Sequence, residues 1–172
     1  MCSTFRPPQR AGRPVSPIRL RPLRASDAEV IAGWASDPQF RAAAAWTDRS
    51  PAEHLSFHRT LIVTPPPGLL RLGVVHDGVL VGYVDLHGTD PDRRELGFVI
   101  GERSRWGAGL GRAAAAAGIA HGFEKLALRE IRAEADDHNR RSIRILESLG
   151  MTRYDRSGSM HRFVLRAPLP GR

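Results

Sequence analysis

The 172-residue sequence contains one cysteine, one lysine and no long hydrophobic segment. Because Cys2 has no second cysteine to pair with, an intramolecular disulfide and a cysteine-rich zinc site are excluded. No apolar run approaches the roughly 20 residues that a membrane-spanning helix requires. The first residues include arginines but lack the apolar stretch of a secretory signal, so we expect a cytoplasmic protein without a membrane partner.

Positive charge comes almost entirely from arginine and is concentrated at the two ends of the chain. Lys125 is the only lysine among 26 basic residues, and the net charge is +8. Residues 1–24 contain six arginines and no acidic residue, whereas residues 25–137 are mildly acidic. A basic end can attract phosphates or RNA, but a solvated tail explains the same pattern, so nucleic-acid binding is not predicted.

The length and composition favour a single domain. A chain of 172 residues with 41% hydrophobic residues is long enough to bury a core. Four prolines among polar residues predict a disordered lead over residues 1–17. We expect the folded domain to span residues 18–167 and a short tail to follow over residues 168–172.

The hydrophobic periodicity predicts the element order β-α-α-β-β-β-α-β-α-β-β. Asp77-Gly78 between two apolar runs is typical of a hairpin turn. The helix that begins near Gly111 connects strands at 94–101 and 129–135, and such a crossover makes these two strands parallel. We therefore expect an α/β fold with a mixed, mostly antiparallel central sheet of about seven strands, flanked by about four helices.

Polar residues before apolar runs predict where the first helices begin and end. Ser26 and Glu29 have the spacing of a capping box for the first helix. Asp37-Pro38 is expected to end this helix. Ser50 followed by Pro51 predicts the start of the second helix.

A glycine-rich segment, WGAGLGR, precedes an alanine-rich helix. Gly107, Gly109 and Gly111 allow a close approach to backbone N–H groups at a helix N-terminus, which favours binding of a pyrophosphate. A P-loop is excluded because Arg112, and not Lys-Ser/Thr, follows Gly111. A dinucleotide fingerprint is an alternative, because Gly109 to Ala114 reads G-x-G-x-x-A, although the preceding strand ends nine residues before Gly109.

The same segment resembles the acetyl-CoA loop of the GNAT superfamily of N-acetyltransferases. Residues 106–111 match its W-G-x-G-x-[GA] motif, and Asn139 and Ser142 match its N-x-x-S helix about 30 residues later. The resemblance extends over about residues 18–165 and is closest to the branch of ribosomal-protein N-terminal alanine acetyltransferases. It implies a GNAT-type domain in which one splayed pair of parallel strands binds coenzyme A, with acetyl-CoA as co-substrate and no metal.

The resemblance also implies which residues hold the cofactor. Backbone N–H groups of the strand before the loop are expected to polarise the thioester carbonyl. The glycine loop and the helix that starts at Asn139 are expected to hold the rest of the acetyl-CoA molecule. The expected cofactor-binding residues are Phe98, Val99, Ile100, Arg105, Trp106, Gly107, Ala108, Gly109, Leu110, Gly111, Arg112, Asn139 and Ser142.

Glu95 is the candidate base, because it lies in an otherwise apolar strand where burial would raise the pKa of its carboxyl. It also matches the family's E-[IL]-G-[YF] position. The alternative is an exposed glutamate that pairs with Arg94 or Arg132. The tyrosine that often acts as the acid in the superfamily is replaced here by Leu146, so the resemblance leaves Ser142 as the candidate partner of the thiolate.

The predicted function is transfer of an acetyl group from acetyl-CoA to a primary amine, either a protein N-terminus or a small molecule. Trp34, Trp46 and Asp85 are candidate acceptor contacts, because the first two helices should line the acceptor site and carboxylates suit a cationic amine. A ribosomal protein is one candidate partner, and the protein is expected to be a monomer or a homodimer. The alternatives are a non-catalytic acyl-CoA-binding or ribosome-associated module and, third, an NAD-dependent oxidoreductase.

Overall fold

A computed structural model describes residues 17–168, so the predicted lead and tail lie almost entirely outside the described residues. The strands are β1 (Ile18–Pro22), β2 (Leu69–His76), β3 (Val79–His87), β4 (Arg93–Ile100), β5 (Glu130–Asp136), β6 (Thr152–Ser157) and β7 (Met160–Arg166). The helices are α1 (Asp27–Gly33), α2 (Pro38–Ala43), α3 (Pro51–Val63), α4 (Leu110–Glu124) and α5 (Arg140–Ser148). Short 3₁₀ turns occupy Trp34–Ser36 and Arg103–Arg105. In this described part of the chain, no helix has both the length and the apolar character needed to cross a membrane.

The strands form one sheet in the order β1-β2-β3-β4-β5-β7-β6. Neighbouring strands are antiparallel except β4 and β5, which are parallel because α4 crosses from one to the other. The β2–β3 hairpin turns at Asp77-Gly78, where φ is 49° and 79°. The predicted α/β fold with a mixed, mostly antiparallel sheet is confirmed, with five helices where about four were expected.

The capping box predicted at the start of the first helix is wrong, although Ser26 does directly precede α1. The Ser26 side chain makes no capping hydrogen bond to any described residue. The buried carboxylate of Asp27 forms a bidentate ion pair with Arg21 instead, at 2.7 and 2.9 Å. Asp37 ends the helical segment that continues from α1 through the 3₁₀ turn, as predicted, and its carboxylate also accepts from the Gln39 N–H at 2.9 Å and so begins α2.

Helices α4 and α5 cover one face of the sheet. A Cβ at Gly118 of α4 would come within 2.5 Å of Val84 Cγ1 and 2.9 Å of Leu96 Cδ1. Ala114 and Ala115 in the same helix are also fully buried. The small side chains of α4 therefore allow it to lie directly on β3 and β4, where the larger core cluster is centred.

Helices α1 to α3 lie on the opposite face and cover only part of it. Trp34 stacks on Tyr83 of β3 at 6.4 Å between ring centroids, in a second core cluster that includes Phe40 of α2. On the same face, Glu95 and Glu134 are exposed. We call the uncovered surface of β4, β5 and β7 on this side the open face.

Candidate active site

Strands β4 and β5 diverge and open a cleft in the middle of the sheet. Their ladder joins only Arg93–Glu95 to Glu130–Arg132, after which β4 continues beside β3 and β5 continues beside β7. Phe98–Ile100 of β4 therefore borders the cleft, with no partner strand on that side among the described residues. Backbone groups along such an edge can hydrogen-bond to a ligand.

The loop after β4 ends in a glycine turn that begins α4. Gly107 and Gly109 have φ angles of 84° and 85°, a left-handed conformation that other residues adopt only at a cost. Gly109 immediately precedes α4, whose first N–H groups have no acceptor within the helix. Because α4 is 15 residues long, these groups and the helix dipole favour an anion at this end.

Gly111 lies where α4, β4 and α5 meet. A Cβ at this position would lie 3.1 Å from Ile145 Cδ1 and 3.9 Å from side-chain carbons of Ile100 and Phe98. The missing side chain therefore lets the start of α4 pack closely against Ile145 of α5. The start of α4 also lies beside the strand residues that border the cleft.

Trp106 fixes the glycine loop to both sides of the cleft. Its Nε1 donates to the Ile100 carbonyl oxygen at 2.9 Å, and its ring centroid lies 6.4 Å from that of Phe40. The guanidinium carbon of Arg141 in α5 lies 4.8 Å from the centre of the Trp106 ring. Arg141 was not predicted as a site residue, because its position in the first turn of α5 does not reveal a contact across the cleft.

The two arginines predicted to contact the cofactor have protein partners in the structure. Arg105 Nε donates to Glu102 Oε2 at 3.0 Å. Arg112 Nε donates to the Ser148 hydroxyl at 3.1 Å, which ties the start of α4 to the end of α5. A phosphate in the loop would therefore compete with Glu102 for Arg105.

The start of α5 brings Asn139 and Ser142 together. The Asn139 side-chain oxygen accepts from the Ser142 N–H at 3.1 Å, so Asn139 caps the helix. Its amide nitrogen and the half-buried Ser142 hydroxyl make no hydrogen bond to any residue in the described range. Capping thus leaves donors at this end of α5 for a ligand.

Glu95 lies on the open face, with the cleft beside it. Leu96 is buried against α4, so the alternation of the strand turns Glu95 the other way, and Glu95 is exposed where a buried glutamate was expected. Its pKa is raised nonetheless, first by partial desolvation and second by the Glu134 carboxylate, whereas His87 and Arg162 act in the opposite direction.

Neither arginine proposed as an alternative partner pairs with Glu95. Arg94 donates to the Gly68 carbonyl oxygen at 3.0 Å, and Arg132 donates to Glu130 at 2.7 Å. Glu95 has no hydrogen bond or ion pair with any residue between 17 and 168. Glu95 is therefore an exposed carboxylate beside the cleft that makes no ion pair with either arginine.

The aromatic residues predicted to contact the acceptor differ in position. Trp34 is 7% exposed, and a Cβ at Gly101 would come within 2.1 Å of its ring, so Trp34 belongs to the core. Trp46 is half-buried and lies 4.5 Å from His58 between ring centroids. His54 and His58 are one helical turn apart, but the described residues contain no group of three or more His, Cys, Asp or Glu that could hold a metal.

The sequence matches the family model for the acetyltransferase (GNAT) domain over residues 18–152. No curated protein matches it. Because the match covers most of the chain, the protein belongs to the GNAT acetyltransferase family. It is therefore an acyltransferase with acetyl-CoA as co-substrate, and the cleft, the glycine loop and the α4 N-terminus fit such a molecule.

Solved structures of low sequence identity share the fold. A GNAT-family acetyltransferase from Bacillus anthracis is 19% identical, with a TM-score of 0.75 over 89% of this chain and 96% of that one. Campylobacter jejuni N-acetyltransferase PseH, in complex with acetyl coenzyme A, is 19% identical, with a TM-score of 0.67 over 88% and 99%. Aminoglycoside acetyltransferase AAC(6')-Ib, in complex with coenzyme A and kanamycin, is 16% identical, with a TM-score of 0.71 over 87% and 94%.

Proposed function

We propose that this protein transfers the acetyl group of acetyl-CoA to a primary amine by direct attack in a ternary complex. The observation that supports this most is the position of Glu95, a carboxylate without a protein partner beside the divergence of β4 and β5. The N-terminus of α4, which favours an anion, lies at the other end of the same cleft. A proton acceptor and a cofactor site thus lie along one opening in the sheet.

The cofactor is proposed to lie along this opening. Backbone N–H groups from Gly107 to Arg112 surround the pyrophosphate, with Arg105 and Arg112 as charged neighbours, whereas the Trp106 N–H already donates to the Arg103 carbonyl oxygen at 3.0 Å. The Asn139 amide nitrogen and the Ser142 hydroxyl contact the part of the molecule near the sulfur. When bound, acetyl-CoA supplies an acetyl group activated as a thioester.

The protein's own groups are proposed to supply proton transfer and polarisation. Backbone N–H groups of Phe98–Ile100 stabilise negative charge on the acetyl oxygen. Glu95 accepts a proton from the acceptor ammonium through water, which its raised pKa favours near neutral pH. Ser142 is the donor to the thiolate, because Leu146 at the superfamily's tyrosine position is only 1% exposed and belongs to the core.

The acceptor is proposed to be a cationic amine that approaches over the open face. Glu95 provides unpaired negative charge there, whereas Asp85 and Glu134 are each paired with an arginine, Arg71 and Arg162. Trp46 lies on the side of α3. The structural neighbour solved with kanamycin supports a small polyamine-like acceptor, and the branch resemblance supports a protein N-terminus. The ribosomal branch, the cytoplasmic location and the oligomeric state stay predictions.

Thiol release measured with a panel of amines tests the function. The panel contains an alanyl peptide, kanamycin and spermidine, and we expect release to depend on both acetyl-CoA and the amine. Thermal shift with acetyl-CoA, coenzyme A and NADH runs in parallel. No release with any amine despite tight acetyl-CoA binding would support the non-catalytic module, for which the replacement by Leu146 is the favouring observation. NADH is the negative control and should not stabilise the protein.

A further inference from the structure

A largely buried ion pair lies between α3 and the open face. Arg71 of β2 donates from Nε and Nη2 to both carboxylate oxygens of Asp85, at 2.7 and 2.6 Å. The two side chains are 9% and 19% exposed. Since desolvation offsets much of the attraction in such a pair, a gain in stability is a weak explanation for it.

The neighbours of Arg71 fix the orientation of its guanidinium. The guanidinium carbon lies 4.0 Å from the centre of the Tyr83 ring, and Nη1 lies 3.5 Å from Nδ1 of His58, which is buried in α3. Burial, and then the charge of Arg71, lower the pKa of His58 to about 3. The imidazole is therefore neutral at working pH and presents an acceptor, not a charge, to Arg71.

Asp85 lies at the boundary between the covered and the open parts of the sheet. Its cross-strand partner is Gly97, which is exposed, and a Cβ at Gly97 would meet only Asp85 Cβ, at 3.6 Å. Glu95 precedes Gly97 by two residues and so lies on the same face. A carboxylate offers about four lone-pair positions, so Asp85 can still accept from an ammonium after Arg71 has taken two.

We propose that Arg71 is a positioning residue that holds the Asp85 carboxylate as the anchor for the acceptor's ammonium, beside Glu95. The proposal rests on the proposed function, because it requires an amine acceptor. Asp85 binds the amine and Glu95 takes its proton, so the two carboxylates have separate roles. The absent side chain at Gly97 leaves room for the amine between them.

The test compares Arg71→Met, Arg71→Lys and Asp85→Asn with the wild type. Arg21→Met is the matched control, because Arg21 and Asp27 form a similar bidentate ion pair, at 2.7 and 2.9 Å, on the edge strand β1. Thiol release gives KM and kcat for the best acceptor of the amine panel. Calorimetry gives the Kd of acetyl-CoA, and thermal unfolding gives the Tm of each variant.

We expect Arg71→Met and Asp85→Asn to raise the acceptor KM by about 10- to 100-fold, the range for a lost hydrogen bond to a charged group. The kcat at saturating acceptor and the Kd of acetyl-CoA should change little. Arg71→Lys should be intermediate, because lysine keeps the charge but not the paired hydrogen bonds. The double variant should be no worse than Asp85→Asn alone, because Arg71 acts through Asp85.

An unchanged acceptor KM in Arg71→Met and Asp85→Asn, or an equal rise in Arg21→Met, would overturn the proposal and leave the acetyltransferase function intact. If the wild type acetylates no amine, calorimetry with kanamycin and spermidine in the presence of coenzyme A separates the two ideas. If the wild type binds the amine and Asp85→Asn weakens this binding, the role of Asp85 as anchor is supported and only the transfer reaction is rejected. Absence of amine binding would overturn both.

Discussion

Replacement of Gly107 by alanine should weaken acetyl-CoA binding far more than the same replacement at Gly150. The two glycines have φ angles of 84° and 85°, and a Cβ at either would meet no described atom within 4 Å. A left-handed alanine costs about 1–2 kcal/mol. In a domain of this size that corresponds to a loss of about 2–8 °C in Tm, and it should be the same in both variants.

Only Gly107 belongs to the loop that leads into α4, whereas Gly150 follows α5. Relief of the strain at Gly107 by backbone rotation would turn N–H groups away from a pyrophosphate. Each hydrogen bond to a charged group contributes about 1.5–3 kcal/mol, so the loss of one should weaken binding by about 10- to 100-fold. Titration calorimetry measures the Kd and scanning calorimetry the Tm. Equal acetyl-CoA affinity in the two variants would refute the assignment of this loop to the cofactor.

Three further variants test the base and the packing of α4. Glu95→Gln should lower turnover at neutral pH and remove the rise of kcat/KM with pH, while the Kd of acetyl-CoA stays unchanged. Because folding raises the pKa of Glu95, its contribution to stability is present at low pH and is lost as the pH rises through the raised pKa. The Glu95→Gln variant should not show this pH-dependent loss of stability when its free energy of unfolding is measured in urea. Gly118→Ala should cost about 1–3 kcal/mol through overpacking against Val84, 2.5 Å away. The control is Gly33→Ala, because a Cβ at Gly33 would meet no described atom within 4 Å. This variant should change the free energy of unfolding by less than about 1 kcal/mol.

Features that depend on residues close in the sequence were predicted correctly. Asp77-Gly78 forms the two-residue hairpin turn, because both positions require positive φ. Ser50 caps α3 by accepting from the Glu53 N–H at 3.3 Å. The glycine loop and the small residues of α4 also lie where the sequence pattern indicated.

Features that depend on contacts between distant elements were not predicted. Asp27 replaces Ser26 as the polar group at the start of α1, because Arg21 on β1 compensates its burial. The raised pKa of Glu95 depends partly on Glu134, which the α4 crossover brings to the neighbouring strand. No periodicity within one element contains this information.

A bulge in β3, where Val81 is the extra residue, shows how one irregularity positions the proposed acceptor anchor. The β2–β3 hairpin begins in the register of a two-residue turn, but the register shifts between Val74 and Val75. Without this shift Arg71 would lie opposite Val84, whose side chain is buried against α4. The extra residue places Arg71 opposite Asp85 instead, because a one-residue slip exchanges the two faces of a strand. The ion pair is thus a property of hairpin register, which explains why the sequence pattern identified Asp85 but not the arginine that holds it.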